Sequence, residues 1–360
     1  MSNEKILPQR NPTLDALRGL AACAVMMHHF TMRTGEYTLF ASAQIAVDLF
    51  FCIGGYVTAQ AYQNRIMAGL GVIAYFKSRL LRLYPSFAVG MTLGLGALLY
   101  KYYAGLTDYT LPAIAQAAAL NFFYLPFLAD YTVQFFDDRV RGVIFPLNGP
   151  AWSLFFNLLG NFVYFYAIRG HRLLPWLLCG GALLGFVVAT KLFGESAGWG
   201  KDNFIGGFPR VIYTFFAGVL LYRLRPHLSL LPRLSSGMLI GGTLLMFAVP
   251  EFRLHTYYWF ICAVGVVPLL VASAATHDRH WSSQRAQNFA HYLGGLSYPI
   301  YCIHVPISSF ISTLFANTAY RTLVVFAAIL VCLIAAHLVY VGIERPLQRN
   351  RTARKLKAAR

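Results

Sequence analysis

The sequence predicts an all-α fold: a polytopic membrane bundle of about ten transmembrane helices, with one further apolar segment, 111–130, that dips into or lies along a membrane face. Three observations predict it. Of the 360 residues, 58% are hydrophobic and 12% are charged, about half the charge share of a soluble domain. Apolar runs of about 17 residues or more recur along the whole length, and each is long enough to cross a bilayer. The ~10-residue polar–apolar alternation of a membrane β-barrel is absent.

The spans fall at 14–32, 43–62, 85–103, 150–168, 172–192, 204–222, 236–250, 255–274, 291–312 and 321–343. Lys5 and Arg10 precede the first run with no small-residue cleavage site, which reads as a retained span and not as a signal peptide. One membrane domain over 1–345 is expected, followed by a basic tail, 346–360. The formal net charge is +17. Its Lys and Arg residues sit mostly in short loops and in the tail, so it reads as membrane orientation and not as nucleic-acid binding. The tail suits anionic headgroups on the cytoplasmic side.

Loop charge sets the orientation. With the N-terminus inside and ten crossings, the inner loops hold Arg65, Lys77, Arg79, Arg82, Arg169, Arg172, Arg223, Arg225, Arg233, Arg279 and Arg285. The outer loops hold Glu36, Asp108, Asp130, Asp137, Asp138, Glu195, Asp202 and Glu251. That is a positive-inside pattern. A crossing by 111–130 would reverse every later loop. The segment is therefore expected to enter from the outside and return, lining a cavity where its backbone is paired. Pro112 and Pro126 at its ends agree with that. Both termini are then cytoplasmic.

The first span, "LRGLAACAVMMHHF", has ionisable groups at both ends. Arg18 and His29 are 11 residues apart, which at 100° per residue brings them within about 20° on the helix wheel. They stand ~16 Å apart along the axis. Asp15 lies one turn before Arg18, close enough to pair with it. His28 points ~80° away. Ionisable groups are costly inside a membrane, so an aligned pair points to function; a snorkelling arginine and a solvated histidine are the structural alternative.

In the second span Asp48 falls near the depth of His29 in an antiparallel hairpin. Two roles fit it. It caps the start of its helix, or it orients His29 and stabilises its charged form, making a better general base. Gly54-Gly55 allows close helix contact. In "YFKSRLLRLYPSF" Arg79 and Arg82 share a face beside Lys77, ahead of Pro85. Paired arginines suit phosphate and also serve as an inner anchor. In "PLNGPAWSLFFNLLGN" Asn148, Trp152 and Ser153 sit at the outer interface, with Asn157 and Asn161 deeper on one face. In "LSYPIYCIHVPI" Ser297, Tyr301 and His304 line one face of a helix loosened by Pro299 and Pro306. A lone membrane histidine of this kind also serves simply as a hydrogen bonder between helices. Glu344 closes the last span, where a salt bridge is expected.

Cys23, Cys52, Cys179, Cys262, Cys302 and Cys332 all lie in apolar runs without a C-x-x-C pair, as small core residues do. No metal-ligand pattern, phosphate-binding P-loop or dinucleotide fingerprint occurs, which gives no support to an ATP-driven pump, a nicotinamide enzyme or a zinc protease.

These motifs, in this order, resemble the integral-membrane acyltransferases of the acyltransferase-3 type, which O-acylate bacterial surface polysaccharides and other acceptors. "LDALRGLAACAVMMHHF", "DLFFCIGGY", "SRLLRLYP", "PAWSL", "LSYPIYCIHVPI" and "ERP" carry the resemblance across nearly the whole chain. It implies a bacterial inner-membrane enzyme with a cytoplasmic acyl-CoA donor, usually acetyl-CoA, and no permanently bound cofactor. Carried over by position, it selects His29 over His28, together with Arg18, Arg79 and Arg82. Two positions depart from the pattern. Gly54 stands where serine is usual, and Asn157 stands where a glutamate is often found.

The expected reaction moves an acyl group from CoA to a hydroxyl of a surface polysaccharide or glycolipid. Arg18, Arg79 and Arg82 hold the donor phosphates, and the pantetheine arm runs outward along the first span. His29, oriented by Asp48, is the general base or briefly carries the acyl group. Asp15, Asn148, Trp152, Ser153, Ser297, Tyr301 and His304 surround the substrate. Besides donor and acceptor, membrane lipids are the expected partners. A transporter or flippase of a small amphiphile also fits polar groups along a membrane path, but it would be expected to show internal repeats, and none stand out.

Overall fold

The computed structural model describes residues 10–32, 38–135, 138–228, 234–276, 281, 283–315 and 319–349. The tail from residue 350, and the loop charges Lys5, Glu36, Asp137, Arg233 and Arg279, lie outside the described residues.

The chain is helical almost throughout. Its helices are α1 (Pro12–Thr31), α2 (Ile45–Met67), α3 (Val72–Tyr103), α4 (Leu111–Asn121), α5 (Ala151–Arg169), α6 (Leu174–Phe193), α7 (Gly207–Leu224), α8 (Ser236–Ala248), α9 (His255–Ile261), α10 (Val267–Thr276), α11 (Gln284–Leu314) and α12 (Arg321–Val339). The described strands are β1 (Thr132–Phe135) and β2 (Asp138–Arg141), an antiparallel hairpin. Seven described helical stretches are long and apolar enough to cross a membrane: Ile45–Met67, Val72–Tyr103, Ala151–Arg169, Leu174–Ser196, Lys201–Leu224, His255–Thr276 and Arg321–Arg349. α8 is apolar but only 13 residues long. α1 and α11 are long enough but carry the ionisable residues of the site.

Local chemistry sets the ends and breaks. Asn11 caps α1, its side chain accepting from the Leu14 N–H at 2.8 Å, and Pro12 follows in the first turn. α3 starts 13 residues before Pro85, so the basic stretch is continuous with the third span and Pro85 lies inside the helix, not at its start. A π turn, Cys262–Val266, joins α9 to α10. The Val264 carbonyl there accepts from the Tyr213 hydroxyl at 2.8 Å, the kind of partner a distorted membrane helix requires.

Glycine brings α2 and α7 into backbone contact. A Cβ on Gly55 would collide with the Phe215 carbonyl, and one on Gly218 with the Cys52 carbonyl. This reciprocal fit fixes the rotation of α2. Gly218→Val is expected to destabilise the protein by ~1–3 kcal/mol through overpacking, read as a lower melting temperature in detergent. Gly241→Val, where a Cβ meets nothing within 4 Å, is the matched control.

The 111–130 segment descends and returns. From Thr110, whose side chain caps α4, the helix runs beside α3 to a tight turn at Tyr124, a left-handed residue at φ +61°. The Tyr124 ring stacks on Phe87 at 3.7 Å between centroids. Asn121 Nδ2 ties the turn by donating to the Leu125 and Ile144 carbonyls at 3.1 and 3.4 Å. Lys101, 14 residues or ~21 Å further along α3, donates to the Gln134 carbonyl of the hairpin. The turn therefore reaches far below the hairpin end of α3. In the hairpin loop Arg141 donates twice to Asp130, at 2.8 and 2.7 Å, and holds its carboxyl below the usual carboxylate range.

Candidate active site

The site is built on two helices in constant register. Asp15 accepts from His291 Nδ1 at 2.8 Å, Arg18 donates to the Gly294 carbonyl at 3.2 Å, and the His29 and His304 rings meet at 3.3 Å. The sequence offset is 276, 276 and 275, so α1 and α11 run side by side in the same direction. Gly19 and Gly294 allow this. A Cβ on the first would strike the Leu293 backbone, and one on the second would strike Asp15.

At one end of this pair stands a histidine dyad. His29 Nδ1 lies 2.9 Å from the Val25 carbonyl. A carbonyl only accepts, so Nδ1 carries the hydrogen and Nε2 is the basic nitrogen. His304 Nδ1 donates likewise to the Ile300 carbonyl at 3.0 Å. Its Nε2 is then an acceptor for the shared His29 Nδ1–H. His28 is edge-on to His29 at 5.5 Å, on another face as the helix wheel requires. Tyr301 reaches Ser153 at 2.7 Å, and Ser153 gives its own hydrogen to the Pro150 carbonyl at 2.9 Å. The Tyr301 ring stands 5.8 Å from that of His304. Asn148 Nδ2 donates to the Cys302 carbonyl at 2.7 Å. Pro306, four residues on and lacking an N–H, cannot satisfy that carbonyl. Asn148, Ser153, Tyr301, His304 and His29 are thus brought together.

Asp48 does not join them. Its carboxylate accepts from Arg210 Nε and Nη2 at 2.9 and 2.8 Å and from Trp259 Nε1 at 3.0 Å. None of its hydrogen bonds goes to His29. The expectation that Asp48 orients the base is corrected: the Val25 carbonyl and His304 do so. The reason is helix rotation. Asp48 precedes Gly55 by seven residues, within about 20° on the wheel, so it faces α7 with the glycine. Arg210 also donates to the Glu195 and Ala197 carbonyls, both at 3.1 Å, and stands over the Trp152 ring at 5.5 Å and the Trp259 ring at 4.7 Å. It is 1% exposed. Sequence reasoning missed it, although a lone arginine in the run 204–222 demands an intramembrane acid, and Asp48 was there to be matched.

At the other end three arginines converge. Arg18 is held by Asp15 at 3.5 Å, by the Gly294 carbonyl and by Ser297 Oγ at 3.2 Å. Arg82 is within electrostatic reach of Arg18, Arg79 and Glu344. Arg79 is buried, its guanidinium 5.8 Å from the Tyr62 ring. Among the described residues no carboxylate pairs with it, and its Nε has no hydrogen-bond partner. Glu344 accepts from Ser86 Oγ at 2.6 Å and lies within electrostatic reach of Arg82. Asp15, expected at the substrate, accepts from Arg10, Arg18 and His291 and instead ties α1 to α11.

α11 joins the two ends. Ser297 meets Arg18, Tyr301 meets Ser153, and His304 meets His29. The shared face expected of these three is present. The Arg18–His29 face of α1 is, however, covered by α11, which closes the route the sequence suggested for a donor arm.

A family model described as an acyltransferase domain, Acyl_transf_3, matches residues 11–340. The chain is 33% identical to "Protein 2 in picA locus" of Rhizobium radiobacter over 44% of its own length and 82% of that protein. It is 24% identical to the peptidoglycan O-acetyltransferase OatA of Listeria monocytogenes over 94% of its own length, and spans 56% of that longer protein. No solved structure matches.

Proposed function

The chain belongs to the Acyl_transf_3 family of acyltransferases, and on that premise we propose that it moves an acyl group, acetyl by preference, from acyl-CoA at the arginine end to an acceptor hydroxyl at the histidine end. The observation that carries this reading is Arg79, a buried cation with no carboxylate partner among the described residues, clustered with Arg18 around Arg82. An uncompensated buried charge is costly, and CoA phosphates supply the missing anion.

The chemistry follows from the dyad. His29 Nε2 takes the proton of the acceptor hydroxyl as its oxygen attacks the thioester carbonyl carbon. The tetrahedral intermediate collapses, the C–S bond breaks, and the His29 imidazolium returns the proton to the CoA thiolate. His304 Nε2 accepts from His29 Nδ1–H throughout and stabilises the charged ring. Ser153, Trp152, Tyr301 and Asn148 form the acceptor end.

In the membrane, the seven long apolar helices together with α1, α8 and α11 make ten crossings over 1–345. The α4 segment is re-entrant from the outside, and the basic tail lies along the inner headgroups. Both termini face the cytoplasm of a bacterium, at its inner membrane. The acceptor is a polysaccharide or glycolipid hydroxyl on the outer side. The OatA relative, named for peptidoglycan, supports a cell-envelope sugar.

The test uses proteoliposomes with labelled acetyl-CoA on the arginine side. Arg79→Ala is expected to raise the KM for acetyl-CoA about 10- to 100-fold, as loss of a charged hydrogen bond does, and to leave the KM for the acceptor within about threefold. Acceptor movement without CoA consumption would instead identify a transporter.

A further inference from the structure

Two helices, α2 and α5, run side by side between the histidine and arginine ends. Phe51 meets Trp152 with ring centroids 6.4 Å apart. One turn on, a Cβ at Gly54 would lie 3.8 Å from Asn157 Nδ2. The two positions that depart from the family pattern therefore face each other. Gly54 is not demanded by packing, since among the described residues such a Cβ would meet, beyond its own helix, that amide alone within 4 Å. Its neighbour Gly55 is held tightly against α7. Gly54 leaves room beside Asn157.

The hydrogen-bond inventory along this seam is uneven. Ser153 is engaged with Pro150 and Tyr301. Asn161 Nδ2 donates to the Asn157 carbonyl at 2.7 Å and to Asn157 Oδ1 at 2.8 Å, and Asn161 Oδ1 accepts from the Tyr75 hydroxyl at 2.8 Å. Asn157 Nδ2, with two N–H donors, makes no hydrogen bond among the described residues. Thr58, one turn beyond Gly54 on α2, is 0% exposed and its Oγ1 has no partner. A buried hydroxyl in a helix ordinarily finds the carbonyl four residues back, and this one does not. Interior polar groups are nearly always satisfied. The Thr58 hydroxyl falls under that rule, and the half-buried Asn157 amide stands open one helical turn away along the seam, so the two suit a ligand that brings its own polar groups.

We propose that the α2–α5 seam at Gly54, Thr58 and Asn157 binds the pantetheine arm of the acyl-CoA donor. The inference rests on the donor reading above and adds a binding site to it. The arm is a thin chain with two secondary amides between the phosphates and the thioester. Asn157 Nδ2 donates to one amide carbonyl, and Thr58 Oγ1 exchanges a hydrogen bond with the other amide. The ends of the seam match the ends of the donor. Tyr62 and Arg79 stand at the phosphate end. At the other, Ser153 touches Tyr301, beside the dyad.

The experiment is equilibrium competition against labelled acetyl-CoA on the full chain in nanodiscs. It uses two competitors: CoA, and adenosine 3′-phosphate 5′-diphosphate, which carries the phosphates without the arm. The wild type should bind CoA the more tightly. Asn157→Leu is expected to weaken CoA about tenfold and Thr58→Val about three- to tenfold, with nucleotide affinity unchanged. Thr58→Val breaks no hydrogen bond of the protein, so misfolding does not account for its effect. CoA affinity retained in both variants overturns the seam and leaves the donor reading standing. Parallel loss of both competitors in Thr58→Val overturns it too. A wild type that binds neither competitor overturns the donor reading itself.

Discussion

His29→Ala is expected to lower acyl transfer about 10²- to 10⁴-fold, the range of a lost general base, while His28→Ala keeps most of the activity. The two residues are adjacent and alike in chemistry, so the contrast tests their placement on the helix. His29 is held by the Val25 carbonyl and His304 so that Nε2 is the basic atom. His28 stands edge-on behind it. His304 gives the second arm of the test. Its Nε2 accepts from the base and touches no substrate in the proposed reaction, which makes it a positioning residue. His304→Ala should lower kcat and shift the pH profile, because the imidazolium of His29 loses an acceptor. Gln at position 304 offers a carbonyl oxygen to the same N–H and should restore part of kcat. Steady-state rates of acetyl-CoA consumption from about pH 5.5 to 9 read all four variants. Full activity in His29→Ala removes the base assignment, and an unshifted profile in His304→Ala removes the dyad.

The helix wheel was a sound guide wherever one helix decided the outcome. It aligned Arg18 with His29, separated His28 from His29, and put Ser297, Tyr301 and His304 on one face. Each of these follows from a 3.6-residue period, which a sequence carries in full. It failed at Asp48, where the outcome depended on which neighbour α2 turns toward. That rotation is set by the Gly55–Gly218 crossing with α7, a contact between residues far apart in sequence. The same blindness hid Arg210. For the 111–130 segment the loop charges constrain the number of crossings without any knowledge of packing, whereas the helix α4 and the turn at Tyr124 beside α3 come from the structure. Asp15 was half legible. Its partner Arg18 is one turn away, whereas Arg10 and His291 complete its bonds only after α11 has docked.

The buried Asp48–Arg210 pair is expected to produce the largest loss of stability in the molecule. Both side chains are within 1% of full burial, and together they join α2, α7, α9 and the turns around Glu195 and Ala197. Removing one partner from such a pair leaves an uncompensated charge and typically costs ~3–5 kcal/mol. Arg210→Ala would strand the Asp48 carboxylate with Trp259 as its remaining donor and take a donor from the carbonyls of Glu195, Ala197 and Gln44, so it should be the more damaging single change. Asp48→Ala should follow closely, because the guanidinium keeps its carbonyl acceptors and loses its counter-charge. The double variant Asp48→Leu/Arg210→Met removes both charges and should be more stable than Arg210→Ala alone, since an apolar replacement of a buried pair is often neutral. Melting temperatures in detergent order the three. The order separates a structural pair from a catalytic one: if Asp48 orients His29, Asp48→Asn must shift the pH profile at temperatures where the protein stays folded. The geometry gives Asp48 no hydrogen bond to His29, so the profile should hold while the melt falls.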